Sequence, residues 1–128
     1  MDKTALVEKV IQGGKGLIKA LDKAGFQVEA AIWFYLTDSG EWRLLIASPF
    51  VEKNGPKKAY NFIQGVLAKS SPPLGISLKD ISAVSPKHHL ISLLRTAIRT
   101  GPDISDIRFT RNVINNTLIE DAYIYRIL

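Results

Sequence analysis

His88, Ser92, Arg95 and Arg99 follow one another at intervals of four, three and four residues. On an α-helix those intervals stack side chains along one stripe. Two arginines one turn apart can clamp a phosphate or a carboxylate, because each guanidinium offers a planar fork of donors. A histidine at the head of the stripe adds a group that titrates near neutrality. Two kinds of chemistry fit. As a binding surface, His88, Arg95 and Arg99 join Lys57 and Lys58 in holding an anionic partner. As a small active site, His88 serves as acid/base, and Arg95 and Arg99 clamp a phosphate- or carboxylate-bearing substrate. A solvated helix face carries the same residue types, so spacing alone does not choose between these and plain surface.

The remaining motifs are weaker. His88 and His89 are adjacent, so on a helix they point about 100° apart and make poor joint ligands. No third ligand stands at a matching spacing, and neither a metal nor a cofactor is expected. Gly13-Gly14-Lys15-Gly16 resembles half of a phosphate-binding loop. That loop needs an upstream glycine where Lys9 stands and a Ser or Thr where Gly16 stands, so nucleotide binding is rejected. The acid pairs Asp38 and Glu41, Asp103 and Asp106, and Glu120 and Asp121 sit where turns or solvated residues are expected. No catalytic residue stands out. Trp33, Tyr35, Tyr123 and Tyr125 lie on strand candidates near Arg43 and Arg126, a mixture that can stack nucleic-acid bases. Strand parity, however, puts Tyr123 and Tyr125 on one face and Arg126 on the other, and core packing is the expectation.

Charge narrows the partner. Seventeen Lys and Arg against twelve Asp and Glu give a net +5. Residues 51–100 hold eight basic and two acidic side chains, so the excess is concentrated there. That segment points to nucleic acid or an acidic protein as partner, with solubility as the plainer explanation. The absence of cysteine excludes disulfides and thiolate chemistry and agrees with a cytoplasmic location. Asp2, Glu8 and the three glycines near Lys15 do not suit a secretory signal. The longest strictly apolar run, Ala30 to Leu36, is seven residues, far short of the ~20 that span a bilayer. No membrane partner is expected.

The elements that must position these residues follow from periodicity. Residues 3–24 show an apolar stripe of helical spacing, with Gly14 inside it as a place of close approach. A break near Gln12–Gly16 is the alternative. Residues 26–48 alternate as a hairpin around a three-residue loop, Asp38-Ser39-Gly40. That loop pairs Leu36 with Trp42, Phe34 with Leu44 and Ile32 with Ile46. It leaves Trp33, Tyr35, Arg43 and Leu45 on a second face, too apolar to be bare and thus a candidate self-association surface. Val51–Gly55 reads as a polar loop, and Pro56 begins a helix that stops at Ser70-Ser71-Pro72-Pro73. Ile81–Val84 is a strand, Ser85-Pro86 starts the next helix, and Gly101-Pro102 closes it. Asp106–Val113 and Ala122–Leu128 are strands around an Asn115-Asn116 turn.

The order α-β-β-α-β-α-β-β, with hairpins at both ends, predicts an α+β fold. The expectation is a single layered domain over residues 1–128, with a mainly antiparallel sheet of about five strands and three helices. The segments Gly40-Glu41-Trp42-Arg43-Leu44, Val84-Ser85-Pro86 and Ile119 to Tyr125 resemble small bacterial proteins of unassigned function, a resemblance that brings no activity or site residues. The reading favoured is a non-catalytic binding or regulatory module. It would use a basic helical surface for an anionic partner or the apolar hairpin face for a homo-oligomer.

Overall fold

The structure is a computed structural model that describes residues 5–128. Positions 3 and 4 of the first expected helix, and Asp2, lie outside the described residues. One mixed, mostly antiparallel five-stranded sheet carries helices on both faces. The chain runs α1 (Glu8–Lys23), β1 (Ala30–Leu36), β2 (Glu41–Ala47), α2 (Pro49–Asn54), α3 (Pro56–Lys69), β3 (Ile81–Val84), α4 (His89–Ala97), β4 (Ile107–Ile114) and β5 (Thr117–Ile127). The strands lie in the order β3-β2-β1-β5-β4. Only the β2–β3 pair is parallel, because the α2–α3 connection crosses over the sheet between them. The α+β class and the strand count match the sequence reading. Among the described residues no helix is long and apolar enough to cross a membrane.

The α1, α2 and α3 helices cover one face. Their inward residues Leu17, Ile18, Leu21, Ala59 and Ile63 meet Trp33, Leu44 and Ile46 in one buried cluster. On the opposite face α4 presses Ile91 and Leu94 against Ile32, Leu45, Ile124 and Ile127. Helix α1 runs unbroken through its glycines. Gly14 is where Tyr125 of β5 comes closest, since a Cβ there would lie 2.2 Å from the Tyr125 hydroxyl oxygen. The buried phenol uses that room fully. It donates to the Ile11 carbonyl at 2.9 Å and accepts from Trp33 Nε1 at 2.9 Å.

Besides β5 beginning at Thr117 rather than Ala122, four details depart from the sequence reading. The first hairpin turns through Thr37–Gly40, closed by the Gly40 amide on the Leu36 carbonyl at 2.8 Å, so Leu36 pairs with Glu41. The loop is one residue longer than expected, and a one-residue slip exchanges every partner's face. Trp33 thus opposes Leu44, Tyr35 opposes Trp42, and Phe34 opposes Arg43. Second, residues 49–54 are helical. Ser48 caps them, its hydroxyl accepting from the Phe50 amide at 3.1 Å and donating to the Phe26 carbonyl at 2.5 Å. Six residues are too few to show a period. Third, α4 begins at His89. Ser85 instead caps a separate turn through the Lys87 amide, at 3.0 Å. Fourth, the β1–β5 register shifts next to Ala31 and Ile32. The shift places Tyr125 and Arg126 both on the α1 side, against the simple parity expected for them.

Candidate functional site

The stripe from His88 to Arg99 is shorter than its spacing suggests. His88 is the N-cap of α4, and Arg99 lies beyond the C-cap Ile98, whose backbone is extended. His88 Nδ1 accepts the Leu90 amide at 3.2 Å, and its ring stacks on His89 with centroids 4.5 Å apart. Burial, aided by His89, lowers its pKa, which favours the neutral ring that the cap requires. Arg95 donates from Nε to the Leu128 carbonyl at 2.7 Å and from a terminal nitrogen to the Pro86 carbonyl at 3.2 Å. It ties the helix to the segments on either side of it. Arg99 is exposed, and so are Lys57 and Lys58. Those lysines occupy the first turn of α3, on the opposite side of the sheet from α4. The basic middle of the chain is therefore divided between two faces, because neighbours in sequence are separated by the sheet.

The hairpin quartet does not form one surface either. Trp33 is buried under α1, while Leu45 is buried in the α4-side cluster. Tyr35 packs on Trp42, with ring centroids 5.4 Å apart. Arg43 reaches β3, donating to Ser82 Oγ at 2.9 Å and to the Ile81 carbonyl at 3.1 Å. The physical reason is the register described above, which sends Trp33 and Tyr35 to one face and Arg43 and Leu45 to the other.

Charged groups converge at α1. Lys9, Lys15, Lys19 and Lys23 lie on this helix, and Lys9, Lys19 and Lys23 are exposed. Clefts open along both flanks. One of about 470 Å³ holds Lys9 and Gln12 against the chain from Ser70 to Leu74. A second, of about 260 Å³, is bordered by Lys23 and Lys69. A third, of about 440 Å³, lies between α1 and the connection into β4. It is lined by Lys15, Lys19, Asp22 and Arg126, with Pro102 and Ile104 as an apolar wall and Asp103 at its side.

Two of the three cations of this third cleft are held in place. Arg126 is 6% exposed and makes a two-pronged pair with Asp22, at 2.9 and 2.8 Å, plus a bond to the Val28 carbonyl at 3.0 Å. Its Nε–H is the one buried side-chain polar group among the described residues without a protein acceptor. Lys15 Nζ lies 2.8 Å from Asp106, which also accepts a hydrogen bond from the Tyr123 hydroxyl. The lysine and the phenol together hold the Asp106 carboxyl below its usual range. Lys19 has no carboxylate partner among the described residues. Further along the same face, Arg108 grips buried Asp121 at 2.6 and 2.7 Å and lies 5.7 Å from the Trp42 ring centre.

This arrangement can bind charge, and its two phenols are not activated as nucleophiles. Burial pushes both Tyr123 and Tyr125 well above the ordinary phenol pKa, so neither ionises near neutrality. Among the described residues no three His, Cys, Asp or Glu side chains gather as a metal-ligand group. Sequence reasoning named Arg126 only beside the strand aromatics and did not single out Lys19 or Asp22. Asp22 and Arg126 are 104 residues apart, and the available hint was a lone arginine inside an apolar last strand. Comparison with protein-family models, curated proteins and solved structures returns no match, so what this chain binds must be argued from the cleft itself.

Proposed function

We propose that this chain is a non-catalytic binding module that takes an anionic partner along the lysine-bordered face of α1. One observation carries the reading: three of the clefts beside α1, on both its flanks, are bordered by lysine from that helix. A long anion can follow such a face while each lysine neutralises one charge. Nucleic acid is the partner that fits best, because its charges repeat along a line as the lysines do. The expected setting is the cytoplasm, where a cysteine-free chain meets nucleic acid in a reducing medium.

The rival reading, a small enzyme built on His88, Arg95 and Arg99, draws less support. Its histidine nitrogen and one of its arginines are already committed to holding α4. The test is a titration of labelled single- and double-stranded oligonucleotides at low and physiological salt. Binding should weaken steeply with salt, as counterion release requires. Reversing Lys9, Lys19 and Lys23 together to Glu should abolish it, while reversing Lys57, Lys58 and Arg99 should leave most of it. The opposite pattern returns the site to the middle of the chain. No binding at low salt overturns the reading.

A further inference from the structure

We infer that the cleft between α1 and residues 102–104 is a phosphate subsite, with Lys19 and Arg126 as its binding residues and Lys15 as a third cation. The inference rests on the proposed binding face and says where on that face a single phosphate is gripped.

The argument starts from Arg126. Two of its nitrogens are occupied by Asp22 and the Val28 carbonyl, and the third, Nε, is buried with no protein acceptor. A buried donor on a charged group is costly when left unpaired, and native structures rarely leave one. Arg126 lines the cleft, so an oxyanion seated there would supply the missing acceptor once the side chains over Nε part to admit it. The geometry around it is prepared. Asp22 fixes the guanidinium, and Asp106 fixes the Lys15 ammonium at 2.8 Å. Asp22 and Asp106 balance two of the three cations, and Asp103 at the side of the cleft brings the site close to neutral, with Lys19 the one cation of the three that no carboxylate pairs among the described residues. Lys15 and Lys19 are four apart on α1, so both reach the same side.

A volume of about 440 Å³ holds more than a bare phosphate ion. Pro102 and Ile104 offer an apolar wall against which the carbon part of a phosphate ester can lie. The ligand class is therefore a phosphate ester. It comes either as a free nucleoside monophosphate or as one phosphate of a bound strand.

The experiment uses the whole protein, labelled with ¹⁵N, and follows the Arg126 Nε–Hε resonance with the Lys15 and Lys19 amides. Inorganic phosphate is titrated against chloride at constant ionic strength, followed by a nucleoside monophosphate and a short oligonucleotide. The Arg126 Hε resonance should move saturably with phosphate. Lys19→Glu, an exposed change that leaves the fold alone, should weaken that response by about tenfold, the worth of one charge-assisted contact. Saturation by the monophosphate but not by the oligonucleotide identifies a free ester as the ligand, and the reverse identifies a strand. Oligonucleotide binding with no response at Arg126 Hε overturns the subsite and leaves the binding face standing. An unchanged response in Lys19→Glu also overturns it. Silence towards every titrant overturns both.

Discussion

The two faces of the sheet treat their basic side chains in opposite ways. On the α4 face, His88 and Arg95 bind backbone atoms of their own chain and fasten a nine-residue helix to its surroundings. On the α1 face, Arg126 and Lys15 are steered by carboxylates, and exposed Lys19 stands beside them at an open cleft. A basic side chain whose bonds fasten separate segments of the fold contributes to stability. One that is oriented and still has a donor to offer is equipped to bind. Counting basic residues along the chain cannot distinguish the two, because the difference lies in what each donor meets.

The comparison can be broken most severely at the Asp22–Arg126 pair. Asp22→Ala leaves a buried guanidinium with one backbone acceptor; because the Asp22 carboxylate is 38% exposed, solvent discounts the buried-pair cost to about 2 kcal/mol. Chemical denaturation should show a loss of that order. A loss under about 1 kcal/mol would mean that Arg126 finds water and is not fixed by Asp22.

Next in size is the contact that lets α1 sit so close to the sheet. Gly14→Ala sets a methyl against the Tyr125 hydroxyl, 2.2 Å away, and also 2.7 Å from the ring carbon that bears it. Overpacking of this kind costs roughly 1–3 kcal/mol, only partly offset by the better helix propensity of alanine. The melting temperature should fall, and adding Tyr125→Phe should restore part of it. A double mutant less stable than both single changes together predict would show that the hydroxyl is not the obstruction.

A third change contrasts the faces directly. Arg95→Ala should cost about 1 kcal/mol of stability, through the loss of its two carbonyl bonds, and leave anion binding unchanged. Lys19→Glu should do the reverse, with stability within about 0.5 kcal/mol of the parent and anion binding weakened about tenfold. If Arg95→Ala weakens binding as much as Lys19→Glu does, the division between the faces fails.

The smallest effect is a pH dependence at the α4 cap. His88 has a folded-state pKa below its ordinary value of 6.5, so the unfolded chain takes up its proton first on acidification. Its contribution is complete above that ordinary value and is lost as pH falls through the lowered folded-state value. Protonation of Nδ1 also removes the acceptor for the Leu90 amide. The protection factor of the Leu90 amide, its exchange relative to the intrinsic base-catalysed rate, should fall as pH drops through that window, and His88→Asn, which keeps an N-cap acceptor, should remove the dependence. An equal protection factor on both sides of the window would show that the cap does not depend on the neutral ring.

Local chemistry alone determined a good part of this molecule. Pro56 and the apolar spacing after it mark α3, the β3 strand covers the four residues expected, and the Asn115-Asn116 turn joins the last two strands. These features depend on residues a few positions apart, and their backbone preferences are written into the side chains. The close approach at Gly14 was legible for the same reason, since a glycine on an apolar stripe leaves a gap that something must fill.

Only the tertiary structure decided the rest. One extra loop residue at Thr37–Gly40 and a register shift beside Ala31 set which side chains share a face. Neither alters the pattern of apolar residues from which faces are read. The sheet itself separated Lys57 and Lys58 from Arg95. The cleft of Lys15, Lys19, Asp22 and Arg126 exists because the first helix lies against the last strand. That contact joins the two ends of the chain, and no spacing along the sequence records it.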